Sequence, residues 1–97
     1  METEQWITVV ECCRHYEIEV SFVEELDEYG LIEVVIQDEV RGLDVGQLSR
    51  LEKLIRLHYE LHINLEGLDA VMHLVRKVED MQTELSHLKN RLRLYEY

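Results

Sequence analysis

The last third of the chain has the most regular hydrophobic pattern in the sequence. Its apolar residues recur at alternating spacings of four and three, which is typical of a helix that packs along one side against another helix. Asn64 is a good helix cap, so we expect this helix to run from there to about Glu96, longer than a small domain can cover. The pattern therefore predicts a homodimer that buries one seam, formed by Leu74, Val78, Met81, Leu85, Leu88, Leu92 and Tyr95.

Charged residues beside this seam bear on the orientation of the two helices. Glu84 with Lys89, and Arg91 with Glu96, would form ion pairs between parallel helices. The repeat is too short to fix the orientation, so parallel and antiparallel pairing both stay open. The alternative to a dimer is a seam that folds back on the preceding helix of the same chain.

The start of the chain predicts a short helix after an apolar entry. Residues 6–7 are expected to form a strand end or a staple against this helix. Thr8 and Glu11 match a capping box, in which each side chain accepts a hydrogen bond from the other residue's backbone amide. The helix should therefore begin at Val9 and end near Glu17.

A second helix should follow after a tight turn. Its cap is either Glu19 or Ser21, and Ser21 with Glu24 would make a second capping box. Gly30 should end the helix, because glycine adopts the left-handed conformation without strain. Two helices at this spacing predict a helix-turn-helix, whose second helix normally enters the major groove of DNA. Its inward residues are Val20, Phe22, Val23 and Leu26.

The segment from Leu31 to Leu43 has the alternating pattern of strands and predicts a small β-hairpin, or wing, around Gln37–Glu39. Asp44 is expected to cap a third helix, with Gln47 in the reciprocal position. The third helix has a wide apolar side formed by Leu48, Leu51, Leu54, Ile55, Leu57 and Leu61.

Together these elements predict a mainly α fold, a winged helix-turn-helix with a small β-hairpin and a long C-terminal helix. The 97 residues suffice for one domain. Residues 1–66 are expected to form the winged helix-turn-helix and third helix, and residues 67–97 the dimerisation helix of the same unit.

The net charge of −11 lies entirely in the first half of the chain. Residues 1–44 contain 13 Asp and Glu against Arg14 and Arg41, whereas residues 45–97 contain eight acidic and eight basic residues. A field of one sign favours a cationic partner and disfavours nucleic acid. The alternative is an acidic surface that serves solubility. The carboxylates expected on the outer side of the second helix are Glu24, Glu25, Asp27 and Glu28.

No residue pattern indicates catalysis. Cys12 and Cys13 are adjacent and cannot easily form a disulfide with each other. His58 and His62 have a spacing that can hold a metal ion, but the sequence supplies no third ligand. There is no glycine-rich phosphate loop and no nucleophile with a recognisable base. We therefore predict a protein that is not an enzyme and that has no cofactor or metal.

The sequence also predicts the compartment. No apolar run approaches the roughly 18 to 20 residues that a membrane span requires, and residues 1–10 lack the pattern of a secretory signal. We therefore expect a cytoplasmic protein without a membrane partner.

Residues 7–32 resemble the MerR-type helix-turn-helix without a gap. The resemblance rests on Thr8 and Glu11 at the first helix, Ile18 and Val20 in the turn, and Gly30–Leu31 after the second helix. The hairpin, residues 42–44 before the third helix and residues 63–66 before the last helix continue it. In that family a long terminal helix forms the dimer.

Within this superfamily the chain is more similar to the CbpM-like chaperone modulators. The segment 55–68 and the leucine-rich tail that ends at residues 88–92 look like their most recognisable parts. MerR-type DNA readers usually have Arg where Ser21 and Glu24 stand and an aromatic residue where Glu25 stands. Glu17 also replaces their small turn residue. Replacement of the basic phosphate anchors by Ser and Glu removes attraction to DNA and adds repulsion.

The CbpM resemblance implies binding to the J-domain of a CbpA/DnaJ-type co-chaperone and inhibition of its cooperation with a DnaK-type chaperone. It also implies a basic helix as the partner surface, which an acidic half-domain would complement. The residues that we expect to contact this partner are Glu24, Glu25, Asp27, Glu28 and Glu33, with Tyr29, Ile36 and Tyr59 as apolar anchors.

Two alternatives remain at this point. One is a MerR-like transcriptional regulator that binds DNA through Arg14, Arg41, Arg50 and Lys53. The other is a scaffold whose only role is coiled-coil dimerisation.

Overall fold

The computed structural model describes residues 5–96, and the outer ends of the two predicted units, residues 1–4 and 97, lie outside this range. Residues 5–96 form four α-helices and a three-stranded antiparallel sheet. In chain order the elements are β1 (Trp6–Thr8), α1 (Val9–Tyr16), α2 (Val20–Glu28), β2 (Val35–Gln37), β3 (Val40–Asp44), α3 (Leu48–Ile55) and α4 (Leu65–Tyr95). The predicted fold class is confirmed.

The start of α1 follows the predicted capping box. The Oγ1 of Thr8 accepts a hydrogen bond from the Glu11 amide at 3.1 Å, and the Glu11 carboxylate accepts one from the Thr8 amide at 3.3 Å. Glu17 ends the helix in the left-handed conformation, with φ of 58°. Both predicted ends of α1 are therefore confirmed.

The start of α2 differs from the capping box predicted for Ser21 and Glu24. The helix begins at Val20 with Glu19 at the N-cap position, and no side chain caps it. Ser21 already lies in the first turn, where its hydroxyl group lies 3.4 Å from the Glu19 carboxylate instead of accepting from the backbone. The end of the helix is as predicted, because Gly30 has φ of 76°.

The predicted wing is confirmed and has a third strand. The strand order is β1-β3-β2, so residues 6–7 form a strand end, one of the two predicted alternatives. Asp38 and Glu39 make the two-residue turn between β2 and β3, with φ of 51° and 64°. Positive φ at both positions matches the right-handed twist of the flanking strands.

The core lies between the helices and the inner side of the sheet. Leu43 on β3 is fully buried, as is Leu68 in the first turns of α4. Burial of Leu68 fixes the start of the long helix to the domain. The other buried residues are Val9, Cys12, Cys13, Phe22, Val23, Leu26, Leu31, Ile32, Leu51 and Leu54.

The cap predicted for the third helix at Asp44 and Gln47 is wrong. Asp44 precedes a short 3₁₀ turn, Val45–Gln47, and makes no side-chain cap bond. The amide of Gln47 instead binds both backbone groups of Glu33, at 2.7 and 2.8 Å. A tertiary contact thus takes the side chain that the local pattern assigned to the cap.

The junction between α3 and α4 contains a π-helical turn, Arg56–Glu60. His58 in this turn stacks on Phe22 of α2, and its Nδ1 lies 2.8 Å from the Ile63 carbonyl oxygen. Asn64 then caps α4 by accepting from the Gly67 amide at 2.8 Å, as predicted.

Helix α4 is the longest element. Its 31 residues span about 46 Å in a molecule whose longest dimension is 59 Å. None of the helices in residues 5–96 is both long enough and apolar enough to cross a lipid bilayer.

Candidate partner-binding surfaces

The carboxylates predicted for partner binding, Glu24, Glu25, Asp27, Glu28 and Glu33, lie on α2 and in the loop after it. We call these five residues the acidic face. Helix α2 directs Phe22, Val23 and Leu26 into the core and packs the half-buried Val20 against it, so its carboxylates lie on the outer side. Glu25, Asp27, Glu28 and Glu33 are exposed, and Glu24 is partly buried.

Glu24 differs from the rest of the acidic face because it forms an ion pair. Its carboxylate lies 2.5 Å from the guanidinium group of Arg41 on β3. Both side chains are more than 40% exposed, so water screens the pair strongly. Within residues 5–96, Glu25 and Glu28 form no ion pair. The outward charge of α2 therefore rests on Glu25, Asp27 and Glu28, none of which forms an ion pair in this range.

Asp27 is exposed, but its side chain also stabilises the loop that follows α2. Its Oδ1 accepts a hydrogen bond from the Val34 amide at 3.0 Å, which holds the loop between α2 and β2. Arg50 of α3 fixes the start of the same loop, because it donates to the Leu31 carbonyl at 3.2 Å. Glu33 therefore stands on an anchored backbone beside α2.

The three predicted apolar anchors lie on different elements. Tyr29 follows the end of α2, and its hydroxyl group donates to Glu66 at 3.1 Å. Tyr59 lies in the π-helical turn, with its ring 5.3 Å from that of Phe22 near the start of α2. Ile36 lies on β2 and is 67% exposed. The two tyrosines therefore lie toward opposite ends of α2, and Ile36 belongs to the wing.

The surroundings of Tyr29 and Tyr59 raise the pKa of both phenol groups. The hydrogen bond to Glu66 raises the pKa of Tyr29, because that bond is lost when the phenol ionises. Burial raises the pKa of Tyr59, with a smaller contribution from the nearby Glu19 carboxylate. Both phenols are therefore neutral near pH 7 and can donate a hydrogen bond.

The basic residues of the DNA-binding alternative are only partly available. Arg41 is paired with Glu24, and Arg50 donates to the Leu31 carbonyl. Arg14 and Lys53 are exposed. No three His, Cys, Asp or Glu side chains meet as a possible metal site anywhere in residues 5–96.

The seam predicted for dimerisation lies uncovered along α4. Its seven residues each expose between 50% and 82% of their surface. The seam begins at Leu74, beyond Leu68 and Met72, which attach α4 to the core, and the described part of the chain leaves the seam exposed. The alternative in which the seam folds back on α3 is wrong for the single chain.

Comparison with known proteins places this architecture in a family. Residues 7–90 match the MerR HTH family regulatory proteins. The chaperone modulatory protein CbpM of Pseudomonas putida is 30% identical over 81 residues, which cover 82% of this chain and 80% of that protein. The CbpM of Pseudomonas entomophila is 28% identical over the same shares. The chain is a CbpM-like member of the MerR helix-turn-helix family.

No solved structure matches the chain significantly. The two named relatives are chaperone modulatory proteins and the matched family is one of regulatory proteins, so neither is described as an enzyme. In this MerR-type chain, α1 and α2 form the helix-turn-helix, and α2, the helix that would face DNA, carries four of the five residues of the acidic face. The family resemblance inferred from the sequence is confirmed.

Two features of this CbpM-like protein have no direct signal in its sequence. The Arg41–Glu24 pair joins residues 17 positions apart, which only the packing of β3 beside α2 brings together. On the outer side of the sheet, Trp6 of β1 also lies directly opposite Asp44 of β3 in the strand register. Neither residue was among the predicted site residues.

Proposed function

We propose that this protein binds the J-domain of a CbpA/DnaJ-type co-chaperone and inhibits its cooperation with a DnaK-type chaperone. The observation that carries the proposal is the exposed pair Glu25 and Glu28 on the second helix of a helix-turn-helix. These carboxylates repel the phosphates that this helix would otherwise approach and attract a basic protein surface. The two relatives are named chaperone modulatory proteins, which supports a role in modulating a chaperone system.

The acidic face supplies long-range attraction more than binding energy. Exposed ion pairs contribute about 0 to 1 kcal/mol each, and salt screens them over about 8 to 10 Å. Their main effect is to increase the association rate with a basic partner. We therefore assign the acidic face to recognition of the J-domain and to its orientation.

Apolar contacts supply the rest of the affinity in this proposal. Tyr29, Ile36 and Tyr59 are 38%, 67% and 44% exposed, so each has surface left to bury against a partner. Aromatic anchors at the centre of an interface commonly dominate its energy. Tyr29 and Tyr59 are the better anchors, because both are aromatic.

The protein acts as a homodimer in this proposal, through the seam on α4. Residues 67–97 then form the dimerisation helix and residues 1–66 the partner-binding unit. The exposure of all seven seam residues supports a second copy as the occupant. No catalytic step or cofactor is part of the proposed function, and its site of action is the cytoplasm.

Calorimetric titration with the purified J-domain of a CbpA-type co-chaperone tests this function. Binding at low salt should weaken as salt increases. The double variant Glu25→Lys, Glu28→Lys should weaken it by about tenfold or more, because attraction becomes repulsion. The control Glu79→Lys, Asp80→Lys makes the same charge change on α4 and should have a much smaller effect. Absence of binding by the unmodified protein would refute the proposal.

The DNA-binding alternative has one supporting observation, the match to a family of helix-turn-helix regulators. Its available cations are Arg14 and Lys53, because Arg41 and Arg50 already have partners. A gel shift with DNA at low salt separates the two functions. Saturable DNA binding that Lys53→Ala weakens would support the regulator.

A further inference from the structure

The outer side of the sheet carries a groove of about 260 Å³. Trp6 on β1, Asp44 on β3, and Val35 and Gln37 on β2 line it, and Glu33 lies beside them. Trp6 and Asp44 are paired across the strands, and Val35 pairs with Gly42 two residues before Asp44. These side chains therefore share the face opposite the buried Leu43.

One wall of this groove is the indole ring of Trp6, which packs against the backbone at Gly42. A methyl group on residue 42 would overlap the ring of Trp6 and the carbonyl of Ile7, so glycine is the residue that admits the ring. Val35 on the other side of Gly42 continues the apolar surface. The groove therefore offers an aromatic and aliphatic lining to a flexible side chain.

Two carboxylates border this lining. Glu33 and Asp44 are exposed, and neither forms an ion pair with another residue in the range 5–96. Gln47 holds the backbone of Glu33 from both sides, at 2.7 and 2.8 Å, and leaves its carboxylate unused. The fold therefore holds two carboxylates at the groove, and no cation in the range 5–96 neutralises them.

We propose that this groove receives a lysine or arginine side chain of a basic protein partner. The aliphatic stem would lie along Trp6 and Val35, and the charged head would reach Glu33 and Asp44. A cation near a tryptophan ring is attracted by its π electrons, and a carboxylate strengthens the binding. This inference deepens the proposed function and rests on it, because the basic partner is the J-domain.

Other ligands fit this chemistry less well. A nucleotide base can stack on an indole ring, but its phosphate would then lie beside two carboxylates. A purely apolar side chain would use Trp6 and Val35 and gain nothing from Glu33 and Asp44. Only a side chain with an apolar stem and a positive end uses the whole groove.

Trp6 provides the test, because it is the only tryptophan in the chain. The full-length protein is titrated with a tryptophan-free J-domain of a CbpA-type co-chaperone, and Trp6 emission and calorimetry are followed in parallel. We expect a saturable emission change with the same Kd as the calorimetric signal. Calorimetric binding without an emission change would overturn the groove and leave the proposed function intact. Absence of calorimetric binding would overturn the proposed function itself.

Variants separate local recognition from general attraction. Asp44→Asn keeps the shape of the side chain and should weaken J-domain binding about three- to fivefold. The control Asp80→Asn removes the same charge from α4 and should weaken it much less. Equal weakening by both variants would overturn the inference. It would show that Asp44 affects binding only through the net charge of the protein.

Trp6→Phe tests the aromatic wall. The indole Nε1 is buried and has no hydrogen-bond partner in the part of the chain that the structure describes, so its loss leaves no acceptor there unpaired. Phenylalanine attracts a cation less strongly than tryptophan, and we expect about threefold weaker binding. Circular dichroism confirms that both groove variants fold. Unchanged affinity in a folded Trp6→Phe variant would contradict the groove.

Discussion

The guanidinium group of Arg41 on β3 lies 2.5 Å from the carboxylate of Glu24 on α2. This pair joins the wing to the helix that carries most of the acidic face. It also neutralises one carboxylate of that face, at the position where MerR-type DNA readers usually have an arginine. The wing therefore modulates the charge that α2 presents to a partner.

Removal of Arg41 should affect stability little and partner binding more. The pair is largely exposed, so Arg41→Ala should lower the free energy of unfolding by less than about 1 kcal/mol. The unpaired Glu24 carboxylate should speed association with a basic J-domain at low salt. Urea denaturation and stopped-flow kinetics measure the two effects. Arg14→Ala, with the same change in net charge, is the control and should speed association less.

Gly42 should tolerate no side chain. Gly42→Ala places a methyl group against the Trp6 ring and the Ile7 carbonyl, and one of them must move. We expect a loss of about 1 to 3 kcal/mol in the free energy of unfolding. Gly46→Ala is the control, because the added methyl group there would meet only the flexible Asp44 side chain. Equal stability of the two variants in urea would show that the position of the Trp6 ring does not depend on the absence of a side chain at residue 42.

The seam on α4 predicts a concentration-dependent assembly that one charge can disrupt. Leu85→Glu places a carboxylate in the middle of the seam, so the dimer should dissociate at micromolar concentration while the domain stays folded. Leu94 lies off the seam and is 76% exposed, so Leu94→Glu should leave the dimer intact. Analytical ultracentrifugation distinguishes these results. A monomeric unmodified protein at high concentration would refute the dimer.

Stability should fall at alkaline pH. Burial and the hydrogen bond that Tyr16 donates to Glu52, at 2.7 Å, raise the pKa of Tyr16 from 10.0 to about 12. Because the folded protein holds this proton more tightly than the unfolded chain, the stabilisation is complete below pH 10 and is lost as the pH approaches 12.

Tyr16→Phe isolates this effect from other groups. Burial also raises the pKa of Cys12, to about 11, so both proteins should lose stability at high pH. The unmodified protein should lose it more steeply above about pH 10. Urea midpoints measured from about pH 8 to about pH 11.5 give the two slopes. Parallel slopes would exclude a contribution from Tyr16.

Local hydrogen bonding explains which elements the sequence could predict. Thr8 with Glu11, and Asn64 with Gly67, bond within one turn of their own helices, so a short pattern contains both partners. The helix stop at Gly30 is equally local. These three features were predicted correctly because no distant residue competes for them.

The features that the sequence could not predict depend on tertiary partners. Gln47 has the right spacing for a cap, but its amide binds the backbone of Glu33 instead. The sequence alone shows that α2 is acidic. It does not show that Glu24 pairs with Arg41, because that pair depends on the packing of β3 beside α2. Likewise, the ring of Trp6 lies on Gly42 only because of the strand register.

The burial of Leu68 has a geometric consequence for the proposed dimer. Because α4 runs without a break from this anchored residue to Tyr95, a rigid rod joins each head to the shared interface, with no flexible tether. Two partner-binding heads would therefore stand at a set distance and angle. A ligand that carries two J-domains would gain avidity only if its own span matches that distance.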